Sequence, residues 1–85
     1  MALGDVELIL AIENEFGVHI PMDDVVRFER LGDIHDWLVE LLRHSSNESE
    51  DAIWDRLHRV TVRELGVRAR EVTKSARMLE DLHAV

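Results

Sequence analysis

The chain has no cysteine, a single proline and no long apolar run. Without cysteine it can form neither disulfides nor thiolate nucleophiles nor Cys-based metal sites. No apolar stretch reaches the ~18 residues of a membrane span, and Asp5 interrupts the start of the chain before any hydrophobic block typical of a signal peptide. We therefore expect a cytoplasmic protein with no membrane partner.

Motifs of catalysis are also missing. With 85 residues the chain forms one domain, 1–85, and so small a core leaves little stability for a deep, strained active site. There is no glycine-rich phosphate loop and no Gly-x-Ser-x-Gly turn, and three of the four serines fall in one polar stretch. We expect no catalytic residues and no enzyme activity.

The histidines offer no metal site on spacing. No pair stands one helical turn apart in a His-Glu-x-x-His pattern, so scattered surface histidines are the better interpretation, with no metal bound. The residues concerned are His19, His35, His44, His58 and His83.

Acidic residues are abundant and unevenly placed. The chain has 18 acidic against 10 basic residues, a formal charge of −8. Residues 1–42 carry all of that excess, because their only basic residues are Arg27 and Arg30. Such a charge repels nucleic acid and anionic membranes, whereas a basic protein surface is a suitable partner. The acidity must therefore act through the first half of the chain.

Apolar spacings of three and four predict helices throughout. They indicate a helix over 3–16 ended by Gly17, a short helix or irregular connector over 23–28, and a helix from Asp33 that Asp33 or Gly32 could cap. A polar, Ser-rich linker covers 43–50, and a long helix from about 50 to 65 ends at Gly66. Both tryptophans, Trp37 and Trp54, fall on apolar stripes and are predicted core residues. No strand pattern occurs, so the predicted fold is all-α, a small four-helix bundle.

Two segments of the chain resemble the acyl carrier proteins, but in the reverse of that family's order. Residues 6–24 resemble the family's second helix and following loop, with Val6-Glu7-Leu8 at the start and Ile20-Pro21 after Phe16. Phe28 and Leu31 then match its short third helix, and 32–38 its fourth. Residues 53–82 resemble its first helix and first loop, through Glu64-Leu65-Gly66-Val67, Glu71-Val72-Thr73 and Glu80-Asp81-Leu82.

The resemblance implies a circularly permuted carrier. Helices two to four of the family correspond to 1–42, the linker to 43–50, and the first helix with its loop to 51–85. Eight linker residues span up to about 26 Å when extended, more than the 8 to 10 Å between packed helices. That length also permits a domain-swapped dimer, so monomer and swapped dimer both stay open.

The family's attachment serine is absent. Carriers bind 4'-phosphopantetheine on a serine at the start of the second helix, and aligning Leu3 with Val6-Glu7-Leu8 places Ala2 at that position. Because alanine has no oxygen to carry the phosphate, we expect no cofactor on this chain. The protein would belong to fatty-acid or polyketide-type lipid metabolism, either as a carrier-like domain or as an interaction module that has lost acyl carriage.

The resemblance also implies which residues would contact partner enzymes and which would surround an acyl chain. In the family, the second helix meets basic grooves on acyl-transfer and synthase enzymes, and the matching positions are Leu3, Val6, Glu7, Leu10 and Glu13. The family's interior can hold an acyl chain, and the matching positions are Ile12, Phe16, Phe28, Ile34 and Trp37. From the residues alone, this second set is ordinary hydrophobic core, which is the stronger interpretation without a tethered cofactor.

Overall fold

The computed structural model describes residues 3–45 and 47–77, with side chains described from Val6 onward. These residues form four α-helices: α1 (Leu3–Phe16), α2 (Met22–Val25), α3 (Leu31–Leu42) and α4 (Glu50–Leu65), followed by one 3-10 turn at Ala69–Glu71. The described part contains no strand, only an isolated bridge between Arg30 and Arg77. The predicted all-α class and the small four-helix bundle are confirmed.

Two glycines end the long helices, as predicted. Gly17 follows α1 with a φ of +64°, and Gly66 follows α4 with a φ of +65°. This left-handed conformation suits glycine because it has no Cβ to clash. At the other end of α4, the Ser49 hydroxyl accepts a 3.1 Å hydrogen bond from the Ala52 amide, which makes Ser49 the N-cap.

The start of α3 differs from the prediction. Neither Asp33 nor Gly32 is the cap, because the helix begins two residues earlier, at Leu31, with Arg30 in the extended cap position. Asp33 lies in the first turn, where its Oδ2 accepts 3.0 Å hydrogen bonds from the amides of Glu29 and Arg30. A carboxylate there satisfies amides outside the helix and favours the positive end of the helix dipole.

A hydrophobic core joins α1, α3 and α4. Leu8 and Ile12 of α1, Ile34 and Leu38 of α3 and Leu57 of α4 are all 0% exposed. The two tryptophans are half-buried and pack against this core, Trp37 from α3 and Trp54 from α4. Most residues of the apolar stripes predicted from the sequence therefore face inward, whereas Val6, Leu10 and Leu41 are exposed.

The segment after α4 packs across the start of α3. The amides of Leu31 and Gly32 donate to the carbonyl oxygens of Ala76 and Lys74, at 3.0 and 2.8 Å. Val72 and Ala76 are buried in the same segment. The first amides of a helix lack partners within it, so this segment caps α3 from a distance in sequence.

Candidate docking surface on the first helix

The solvent-facing side of α1 carries apolar residues beside a carboxylate. Val6 is 38% exposed, Leu10 is 54% exposed, and Glu7 is exposed between them in sequence. Positions 6, 7 and 10 lie within about one helical turn of each other, so they form one patch. The structure thus brings together three of the five residues predicted for partner recognition; the side chain of Leu3 lies outside the described residues.

The fifth residue, Glu13, is occupied within the chain. Its Oε2 accepts a 2.7 Å hydrogen bond from the Ile20 amide and lies 3.3 Å from His19 Nδ1. Its side chain is only 17% exposed. Glu13 therefore holds the loop after α1 in place and offers a partner much less of its carboxylate than Glu7 does.

A groove runs along α1 where it meets α4. It has a volume of about 430 Å³. Arg56, in the first half of α4, pairs with Glu15 near the end of α1. Arg63 and Glu64, at the end of α4, line the groove together with α1 residues as far back as Glu7. The two helices therefore run antiparallel. The groove is lined by Glu7, Leu10, Ala11, Asn14, Glu15, Arg63 and Glu64.

Arg56 holds the end of α1 against α4. Its Nη2 donates to the Glu15 carbonyl at 2.6 Å and its Nε to Glu15 Oε2 at 3.2 Å, while Nη1 pairs with Glu48 of the linker. The guanidinium also lies 4.4 Å from the centroid of the Phe16 ring. One side chain thus connects α4, the end of α1 and the linker. No spacing rule in the sequence singles it out among the arginines of α4.

A second exposed apolar pair lies on α2. Met22 is 62% exposed and Val26, just after the helix, is 69% exposed, with exposed Asp23 between them. The sequence predicts a short helix or irregular connector here and assigns no surface role to these two residues. The four-residue spacing of Met22 and Val26 is the signal that could have found this pair.

The predicted acyl-chain interior divides into two environments. Ile12 and Ile34 are 0% exposed and belong to the core. Phe16, Phe28 and Trp37 are half-buried around it. The Trp37 indole donates a 3.2 Å hydrogen bond to Asp24 Oδ2, which ties α3 to α2.

His35 corrects the prediction of surface histidines. It is only 5% exposed. Its Nε2 donates to the Glu50 carbonyl at 2.9 Å, and its ring meets Trp54 edge-on at 5.7 Å. The sequence offered no clear sign of this burial, because His35 directly follows Ile34 of the apolar stripe and adjacent positions on a helix point in different directions. Within residues 3–45 and 47–77, no three His, Asp or Glu side chains form a group that could hold a metal ion.

The position matched to the attachment serine, Ala2, lies outside the described residues, as do 78–85. No helix in the described part has the length and apolar character to cross a membrane. No protein-family model matches the chain, and no solved structure matches it.

Proposed function

We propose that this chain is an acyl-carrier-like, non-catalytic helical domain of fatty-acid or polyketide-type lipid metabolism, located in the cytoplasm, that docks basic partner enzymes through α1. The observation that carries the proposal is the patch of Val6, Glu7 and Leu10, in which two apolar side chains stay exposed beside a carboxylate. The family resemblance also assigns Leu3 and Glu13 to this surface, but the Glu13 carboxylate is bonded to the Ile20 amide and contributes little to it.

Such a patch suits a moderate, salt-sensitive contact. Covering the exposed side chains of Val6 and Leu10 would remove apolar surface from water, which favours association. The carboxylates, within a half of the chain that holds the whole charge of −8, would speed the encounter with Arg and Lys side chains. Salt would weaken that attraction.

The fold supports the permuted arrangement. In a carrier, the first helix packs antiparallel to the second, and here α4 packs antiparallel to α1, with Arg56 beside Glu15 and Arg63 beside the groove. The Ser-rich stretch between α3 and α4 serves as the new connection, with Ser49 and Glu48 engaged at its end. Sizing chromatography over a range of concentrations distinguishes a monomer from a domain-swapped dimer, in which α4 of one chain would pack on α1 of another.

The second candidate is a carrier-shaped interaction module without acyl carriage, and Ala2 at the serine position favours it. Incubation with coenzyme A and a phosphopantetheinyl transferase, followed by intact-mass measurement, separates the two. We expect no mass gain and no 4'-phosphopantetheine. A gain of one phosphopantetheine would contradict the assignment of Ala2 and restore covalent carriage.

Docking itself is tested with a basic, carrier-recognising enzyme immobilised for binding measurements. Glu7→Lys reverses the exposed carboxylate of the patch, and Glu71→Lys reverses another exposed carboxylate outside it. We expect Glu7→Lys to weaken binding clearly and Glu71→Lys to have little effect. Equal effects would reduce the contact to general charge attraction and contradict a docking role for α1.

A further inference from the structure

We infer that the groove between α1 and α4 seats an amphipathic basic helix of the partner. This inference rests on the proposed function and names the partner element that it implies. It extends the docking surface from the α1 patch to a second wall, Arg63 and Glu64 of α4, which the family resemblance does not assign to docking.

The shape of the groove favours a helix. Two antiparallel helices leave a furrow between their ridges into which a third helix packs. The α1 wall runs from Glu7 to Glu15, about 12 Å at the helical rise of 1.5 Å per residue. That length matches two to three turns of a partner helix, with apolar anchors at i, i+3 or i+4, and i+7.

The lining of the groove is partly apolar. Leu10 is 54% exposed and Ala11, beside it, is half-buried, so together they offer a small aliphatic surface. An apolar side chain on the partner would cover Leu10, which is otherwise in contact with water.

The charges of the walls select a basic partner. Three carboxylates and one guanidinium line the groove. Glu15 is neutralised by Arg56 at 3.2 Å, whereas Glu7 makes no ion pair within the described residues. Glu64 has only a loose exposed contact with Arg63 at 3.9 Å, the kind that contributes little. Glu7 of α1 and Glu64 of α4 therefore both line the groove as carboxylates available to Lys or Arg.

A second copy of this chain fits less well. At a charge of −8, two copies repel each other, and an acidic helix would place carboxylates against Glu7 and Glu64. In an amphipathic helix with lysines flanking a leucine stripe, the leucines would cover Leu10 and Ala11 and the lysines would pair with Glu7 and Glu64.

The test uses a defined probe. A fluorescein-labelled 18-residue peptide with leucines at helical spacing and lysines elsewhere is titrated with the chain and followed by anisotropy. A matched peptide with glutamate in place of lysine is the control. We expect the lysine peptide to bind at low salt and the glutamate peptide not to bind.

Groove variants locate the site. Glu64→Gln and Asn14→Lys change the groove and leave Val6 and Glu7 intact; Glu71→Gln and Asn47→Lys make the same changes at exposed positions outside it. We expect each groove variant to weaken peptide binding about two- to fivefold and each control to leave it unchanged. Circular dichroism confirms that each variant keeps its helices.

Two results would overturn the inference. If Glu7→Lys abolished binding while Glu64→Gln and Asn14→Lys had no effect, the helix would dock on the α1 patch alone, and the proposed function would stand without the groove. If the lysine peptide did not bind the unaltered chain, the groove would not be a helix seat, and the enzyme-binding experiment would decide the proposed function separately.

Discussion

The amide of Gly32 donates a 2.8 Å hydrogen bond to the carbonyl oxygen of Lys74, 42 residues further along the chain. Together with the bond from Leu31 to Ala76 at 3.0 Å, it fixes the segment after α4 against the first turn of α3. Arg30 adds a 2.7 Å bond from Nη1 to the Ser75 carbonyl. The carrier resemblance assigns the start of α3 to the family's last helix and residues 74–76 to its first loop. These two parts of the chain are hydrogen-bonded to each other.

This contact predicts that Gly32→Ala destabilises the fold. A Cβ at position 32 would lie 2.8 Å from the Lys74 carbonyl oxygen, a backbone atom that cannot turn away. We expect a loss of about 1–3 kcal/mol in the free energy of unfolding, measured by urea denaturation. Lys74→Ala, which keeps the carbonyl, is the matched control with a small effect. A Gly32→Ala variant as stable as the original would show that the segment does not pack this closely.

Arg56→Ala should also destabilise the fold, by about 1–3 kcal/mol. The change removes the bonds to the Glu15 carbonyl and carboxylate, the pair with Glu48 and the cover of the Phe16 ring. Glu15 would lose the bonds from Arg56 to its carbonyl and its carboxylate, and Glu48 would lose its ion pair with Arg56. Arg59→Ala is the control, because Arg59 is exposed on the same helix and the substitution changes helix propensity by the same amount. Thermal denaturation of the two variants should separate clearly; coinciding curves would mean that Arg56 does not connect the helices.

We expect Glu13 to contribute more than Glu7 to the stability of the fold. Glu13→Ala leaves the Ile20 amide, beside a buried side chain, without its 2.7 Å partner, so we expect a loss of about 1–2 kcal/mol of stability. Glu7→Ala changes an exposed carboxylate and should cost less than about 0.5 kcal/mol. Chemical denaturation measures both. If Glu7→Ala were the more destabilising, the structural role assigned to Glu13 would be wrong.

Apolar spacing predicted most of the fold because helical periodicity and burial have the same cause. The stripes through Leu8 and Ile12 and through Ile34 and Leu38 became the core, and Gly17 and Gly66 ended helices as their backbone freedom suggests. The start of α3 was misplaced because its first amides bond to Lys74 and Ala76, and no local pattern announces a cap supplied by a distant segment.

The candidate site was only partly predictable. The spacing of Val6, Glu7 and Leu10 placed them on one face of a helix, but exposure depends on which face the other helices cover. Glu13 shares that face in sequence and turns to the Ile20 amide in the structure. The wall formed by Glu64 depends on the packing of α4 against α1, which is separated from it by more than thirty residues of chain.

The central claim is that α1 docks a basic enzyme through Val6, Glu7 and Leu10. It is tested most directly by titrating the ¹⁵N-labelled chain with a phosphopantetheinyl transferase and recording amide chemical shifts. We expect salt-sensitive changes in amide chemical shift concentrated on α1 around these three residues. We expect these changes to disappear in the Glu7→Lys variant. Shifts centred on another helix, or an unchanged titration in Glu7→Lys, would contradict it.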